Sequence, residues 1–99
     1  MQYLVVFQTK TAFLTDGMPA NFVPVHAAEQ KQGRALYGSG DLRQSWEIDD
    51  ERPGAVCLFE AASRDDLQQM IDTFPLVQKG YVDTLVTKLK PDTAYTPDV

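Results

Sequence analysis

The alternation of apolar and polar residues along the chain predicts four strands. The apolar run YLVVF at 3–7 indicates a strand that is buried on one face or on both, and AVCLFEA at 55–61 is a second run of this kind. Alternating positions predict two further strands, at 41–48 and at 81–89. Their β-branched and aromatic residues favour strands over helices.

Two other stretches have apolar residues at the three- and four-residue spacing of an amphipathic helix. The first has an N-cap residue at Asn21, continues to about Tyr37 and stops at the turn formed by residues 38–40. The second starts from a capping serine, Ser63, which a carboxylate follows three residues later, and Pro75 ends it. The order of elements is therefore βαββαβ.

The connection between the first strand and the first helix, TKTAFLTDGMPAN at 9–21, is predicted to be a loop because it contains glycine and proline breakers. It is long for a structureless connection, and loops of this length often border a site. Phe13, Leu14 and Met18 are too apolar for a plain exposed linker. We therefore expect them to fold over the mouth of a pocket.

A βαββαβ order predicts an α+β fold, the ferredoxin-like plait, in which a four-stranded antiparallel sheet carries both helices on one face. Residues 1–90 are expected to form this single domain, and the tail at 91–99 is expected either to fray or to pack on a neighbouring subunit. The strands at 3–7 and 55–61 carry apolar residues on both sides. Leaving one such face in water forfeits several kcal/mol, at about 25 cal/mol per Å². We therefore expect a homodimer or a higher homo-oligomer, paired sheet to sheet.

Charge and composition exclude several classes of partner and site. The formal net charge is -5 at pH 7, and an acidic surface repels phosphates, so we expect neither nucleic acid nor a membrane as a partner. The single cysteine, Cys57, lies in an apolar run and is expected to be a buried filler. Because the chain has no Cys/His cluster, no leader-like N-terminus and no long apolar span, we expect a cytoplasmic protein without a metal site.

The first helix places polar residues where the fold needs apolar burial. Its stripe runs through Phe22, His26, Glu29, Gly33 and Leu36, so an imidazole and a carboxylate face the sheet. His26 and Glu29 are three residues apart, so their side chains can meet and act as a proton-transfer pair. The alternative is a rotated helix on which the pair forms a solvated salt link. Gly33 either leaves room for a ligand or allows close helix–sheet packing.

Motifs in the second half of the chain resemble those of the muconolactone isomerase family. They are G-x-L-R-x-x-W at 40–46 and VCLFEAASRDDLQQMIDTFPL at 56–76. Glu29, eleven positions before Gly40, also falls on a glutamate of that family's first helix. The resemblance covers roughly residues 26–90 and implies a dimeric α+β barrel of ferredoxin-like subunits. It also implies an enzyme that shifts a double bond in a small lactone by proton transfer, with no metal and no organic cofactor.

Three further side chains are candidate substrate-binding groups. Arg43 can hold a substrate carboxylate, or it can pair with a carboxylate on the surface. Trp46, which alternation places on the same side as Leu42, can stack on a flat substrate or fill the core or a dimer interface. Tyr81 can donate its phenol hydrogen to a substrate carbonyl, although buried tyrosines commonly need one partner in any case.

We therefore expect a cytoplasmic, homo-oligomeric enzyme, a cofactor-independent isomerase or cyclase that acts on a small lactone-like or aromatic substrate. The expected catalytic residues are Glu29 and His26, and the expected substrate-binding residues are Arg43, Trp46, Tyr81 and Gly33. Two alternatives stay open at this point. One is a non-catalytic ligand-binding or accessory protein of a metabolic pathway, and the other is a cofactor-free monooxygenase of the same fold.

Overall fold

The computed structural model describes residues 1–95 as four strands and four helices. Part of the tail whose packing we predicted, residues 96–99, lies outside the described residues. The elements are β1 (Gln2–Thr9), α1 (Thr11–Asp16), α2 (Phe22–Ser39), β2 (Leu42–Glu47), β3 (Gly54–Glu60), α3 (Arg64–Ile71), α4 (Pro75–Gln78) and β4 (Val82–Leu89). Within residues 1–95, no helix is long and apolar enough to cross a membrane.

The four strands form one antiparallel sheet in the order β2-β3-β1-β4. β1 is a central strand, and its Val5 lies opposite Cys57 of β3 on one side and opposite Val86 of β4 on the other. Both long helices pack on the same face of this sheet. The predicted ferredoxin-like α+β plait is therefore confirmed.

The core lies between that face of the sheet and the helices. Every second residue of β1 is buried, as a half-buried strand requires. Val5 and Phe59 of the sheet pack in one cluster with Leu67 and Ile71 of α3, and all four are fully buried. The hydroxyl of Ser63 accepts a backbone hydrogen bond of 3.1 Å in the first turn of α3, which confirms the predicted cap.

Two local predictions are wrong. The segment 9–21 is not a continuous loop, because Thr11–Asp16 form α1, which ends at Gly17 with a φ of 90°. Pro75 does not end the second long helix, because α3 already ends at Ile71. Pro75 instead starts the short helix α4, at a position where its missing N–H loses no hydrogen bond.

A β-bulge in β2 changes which side chains share a face. Leu42 lies opposite Phe59 and Gln44 lies opposite Leu58, so Arg43 is an extra residue on this strand. An extra residue inverts the alternation beyond it. Leu42 therefore faces the core while Trp46 faces the opposite side, contrary to the prediction that they share one side.

The second face of the sheet is apolar and carries none of the helices of residues 1–95. We call it the open face, and its large apolar side chains are Leu4, Val6, Trp46, Val56, Leu58, Leu85 and Leu89. Leu85 is 65% exposed and Trp46 is 49% exposed. An apolar patch of this extent is unusual on a small monomeric protein.

Candidate active site

A cavity of about 960 Å³ lies between α2 and the core face of the sheet. None of the 18 residues of α2 is fully buried, because this helix contacts mainly α4 and β2 and stands away from the middle of the sheet. Phe7 and Cys57 form part of the cavity floor, and Phe74 and Leu76 form part of its wall. His26 and Glu29, the polar residues that interrupt the apolar stripe of α2, therefore face a space of the size that small-molecule ligands occupy.

Glu29 is half-buried on the cavity side of α2. Burial raises the pKa of its carboxyl from the usual 4.5 to about 7, and the hydrogen bond that Oε1 accepts from the Leu76 backbone N–H, at 3.2 Å, offsets this only in part. Among residues 1–95, Glu29 makes no other hydrogen bond and no ion pair. Its second carboxyl oxygen can therefore exchange a proton with a ligand near neutral pH.

His26 lines the outer part of the same cavity, and its side chain is exposed. The imidazole stacks on Phe22, with ring centroids 5.3 Å apart and 21° between the ring planes. In the part of the chain that the structure describes, no hydrogen bond or ion pair joins His26 to Glu29. The two side chains thus face one cavity without forming the direct pair that their spacing predicts.

Gly33 lines the cavity one turn after Glu29. A Cβ placed on it would meet a single neighbouring atom within 4 Å, Cε1 of Phe74 at 3.9 Å, which is an ordinary van der Waals distance. Close helix–sheet packing therefore does not require glycine at this position. Of the two interpretations offered by the sequence, the geometry favours room for a ligand.

Replacing Gly33 with alanine is expected to raise the free energy of unfolding by about 1 kcal/mol, because alanine is the better helix former and fits without a clash. Chemical denaturation measures the effect. Gly40→Ala is the matched control and should destabilise the protein by about 1 kcal/mol, because Gly40 ends α2 with a φ of 85°. A destabilising Gly33→Ala would show instead that this glycine serves packing.

Trp46 and Arg43, two of the predicted substrate-binding residues, do not line the cavity. Trp46 lies on the open face because of the bulge in β2. Arg43 is exposed at the bulge, where its Nε donates a 2.6 Å hydrogen bond to the carbonyl oxygen of Gly40. Among residues 1–95, Arg43 forms no ion pair, so the alternative of a surface pair is not observed either.

Tyr81, the third predicted substrate-binding side chain, also lies outside the cavity lining. Its hydroxyl donates a 2.6 Å hydrogen bond to Oδ1 of Asn21, and its ring packs edge-on against Phe13. Asn21 therefore precedes α2 as predicted, but its side chain accepts from Tyr81 rather than capping the helix. Of the apolar residues expected at the pocket mouth, Met18 lines the cavity.

The structure places two further groups at the cavity that the sequence analysis did not assign to a site. Cys57 lines the cavity floor, 3.4 Å from the hydroxyl of Ser45, and burial raises the pKa of its thiol, so the thiol stays protonated. Arg34 lines the cavity from α2. The signal for Arg34 was its four-residue spacing from Gln30, which lies on the flank of the apolar stripe and lines the cavity too.

The arrangement suits proton transfer to an organic ligand. A carboxyl with a pKa near 7, a histidine and a neutral thiol face one largely apolar space. Among residues 1–95, no group of three or more His, Cys, Asp or Glu side chains is arranged to hold a metal ion.

Comparison with protein families gives a match to the model of muconolactone delta-isomerase over residues 1–93. The chain belongs to the muconolactone delta-isomerase family. The match covers the strands, the helices and every residue of the cavity. Family membership supports a small-molecule enzyme of aromatic-compound degradation. A comparison with curated protein sequences finds no match.

Two solved structures have the same fold. One is a crystal structure of muconolactone isomerase, with a TM-score of 0.73 and 21% sequence identity, covering 93% of this chain and 91% of that chain. The other is 5-chloro-2-hydroxyhydroquinone dehydrochlorinase from Burkholderia phenoliruptrix in complex with 2,5-dihydroxybenzoquinone, with a TM-score of 0.72 and 16% identity, covering 95% of this chain and 98% of that chain. At these identities the likeness establishes the fold.

Proposed function

We propose that this member of the family is a cofactor-independent isomerase that moves a proton within a small lactone-like or aromatic substrate. The observation that carries the proposal is the carboxyl of Glu29, whose pKa of about 7 suits a base at neutral pH, at the wall of a cavity of about 960 Å³. The motif resemblance and the family membership both support it.

In the proposed reaction, the second carboxyl oxygen of Glu29 takes a proton from the γ-carbon of an α,β-unsaturated carbonyl group in the substrate. The electron pair of the broken C–H bond delocalises into a dienolate, and the protonated Glu29 then returns the proton to another carbon of the same system. We propose that His26 donates a hydrogen bond to the carbonyl oxygen on which the negative charge develops. The product is an isomer of the substrate, so the step balances without an oxidant or a reductant.

The pH dependence of kcat/KM for muconolactone tests this assignment. The ionised carboxylate is the active form of a base, so kcat/KM is expected to rise with pH through a midpoint near 7 and to level off above about pH 8. A profile that is already flat from pH 5 upwards would remove Glu29 as the base. No turnover of muconolactone at any pH would overturn the isomerase proposal.

Assays of the same purified protein distinguish the isomerase from two other enzymes and from a protein without activity. Chloride release from a chlorinated hydroquinone would indicate an elimination that begins with the same proton abstraction, as the name of one structural relative suggests. Oxygen uptake with an aromatic substrate would indicate a cofactor-free monooxygenase. Ligand binding without any turnover would indicate a non-catalytic or accessory protein.

We also propose that the chain forms at least a homodimer through the open face. The support is physical, because the large apolar side chains of that face would otherwise stand in water, and a second copy presents the same apolar surface around a twofold axis. Sheet-to-sheet pairing of this kind leaves the cavity, which lies on the other side of the sheet, accessible.

Leu85→Asp is expected to convert the dimer to a monomer, because a twofold interface buries the new charge twice. Sedimentation analysis should give about twice the chain mass of 11.1 kDa for the wild type and a single chain mass for the variant. Thr84→Asp is the matched control, because Thr84 is the exposed neighbour on the opposite face of β4 and should leave the dimer intact. A wild type that sediments as a monomer would contradict the proposal.

A further inference from the structure

The cavity is bordered by a cationic side chain that the proposed reaction does not use. Arg34 lines the cavity from α2 and is exposed, in a chain whose formal net charge is -5. Among the described residues that line this space, it is the one lysine or arginine. A guanidinium at the wall of a largely apolar cavity is suited to bind an anionic group of a ligand.

Arg34 has no carboxylate partner within the protein. The residues three and four positions away on α2, where a helical ion pair would form, are Gln30, Lys31, Tyr37 and Gly38. Within residues 1–95, no hydrogen bond or ion pair involves its guanidinium. Glu47 lines the cavity from β2, but it lies beyond ion-pair distance from Arg34. The guanidinium is therefore available to a ligand.

The position of Arg34 relative to Glu29 defines two ends of the cavity. Five residues of helix separate them by about 7.5 Å along the axis and by about 140° around it. Glu29 lies at the margin next to α4, where it accepts the hydrogen bond from Leu76. Arg34 lies towards the other margin of the cavity-facing arc, where only Gly38 is further around the helix. Both side chains border one space, so a single ligand can contact both.

We infer that Arg34 is a specificity-determining residue that binds a carboxylate on the substrate and thereby presents the reacting carbon to Glu29. This inference rests on the proposed function, because it assigns a binding residue to the same cavity. With Arg34 in that role, the cavity binds small organic acids more tightly than their neutral esters. It also assigns to Arg34 the role that the sequence interpretation gave to Arg43.

Calorimetric titration with two pairs of probes that contain no lactone tests the inference without any turnover. The probes are phenylacetate and benzoate, each as the free acid and as the methyl ester. The wild type is expected to bind each acid about tenfold or more tightly than its ester, which corresponds to about 1.4 kcal/mol. Arg34→Met should abolish this preference, and Arg34→Lys, which keeps the charge without the planar fork, should retain part of it.

Arg43→Met is the matched control, because Arg43 is an exposed arginine outside the cavity, and it should keep the full preference for the acids. A wild type without any preference for acid over ester, or an Arg34→Met variant that keeps it, would overturn the inference. Failure of the proposed function has a different signature. In that case the preference for acids depends on Arg34 while muconolactone is not isomerised.

Discussion

Glu29→Gln is expected to lower kcat for muconolactone isomerisation by a factor of about 100 or more, with little change in KM. The amide has nearly the same shape as the carboxyl, and its oxygen can still accept the hydrogen bond from the Leu76 backbone N–H. It cannot take a proton from carbon. The loss is therefore expected in the chemical step rather than in binding, and steady-state kinetics of the purified variant measure both parameters.

Two further variants make the kinetic result specific. Glu51→Gln removes an exposed carboxylate from the turn between β2 and β3 and should leave kcat unchanged. Glu29→Asp keeps the acid but withdraws it by one methylene, so its kcat should fall between those of the wild type and Glu29→Gln. An unaltered kcat in Glu29→Gln would show that this carboxyl is not the base.

The same substitution is expected to stabilise the protein at alkaline pH, by about 3 kcal/mol above pH 8. A carboxyl whose pKa rises on folding, here from 4.5 to about 7, binds its proton more tightly in the native state than in the unfolded state. Stability therefore falls as the pH rises from about 4.5 to above 7, because the ionised carboxylate must remain half-buried. Glutamine never ionises, so the variant avoids this loss.

Denaturant unfolding of the wild type and Glu29→Gln between pH 4 and pH 9 measures the difference directly. The two unfolding free energies should converge near pH 4 and diverge as the pH rises through 7. Glu51→Gln, which changes an exposed side chain, should stay within about 0.5 kcal/mol of the wild type throughout. Equal stabilities at pH 9 would mean that burial does not perturb Glu29.

The fold was predictable because each element carries a local signal. Strand periodicity, the cap at Ser63 and the glycine stop of the first helix determine the βαββαβ order, and the plait follows from that order. The short helix α1 was missed because a six-residue helix has too few turns to show a periodic pattern. Its segment therefore resembled a loop in composition.

The site was only half predictable, and the reason differs from residue to residue. Glu29 and Gly33 were correctly placed on the sheet-facing side of α2, because both interrupt the apolar stripe of that helix. The helical period of 3.6 residues alone determines which way they face. Trp46 was misplaced because a single extra residue in β2 inverts the alternation, and no local pattern reveals a bulge. Arg34 was missed because the width of the cavity depends on how far α2 stands from the sheet, which is a property of tertiary packing.

The raised pKa of Glu29 suits the proposed reaction but lowers the stability of the fold. An isolated, half-buried carboxyl weakens the fold at neutral and alkaline pH, and an alternative residue such as glutamine would not. Groups with strongly perturbed pKa values cluster at functional sites, which supports the proposal that Glu29 is the base. The dependence of both activity and stability on pH should therefore trace to the same titration.

The most direct test is to follow the carboxyl carbon of Glu29 by NMR in protein labelled with ¹³C-glutamate, with Glu29→Gln used to assign the resonance. A titration midpoint near 7 is expected for this carboxyl. A midpoint near the usual 4.5 would contradict this prediction, because the group would then be an ordinary surface carboxylate with no special capacity to accept a proton from carbon.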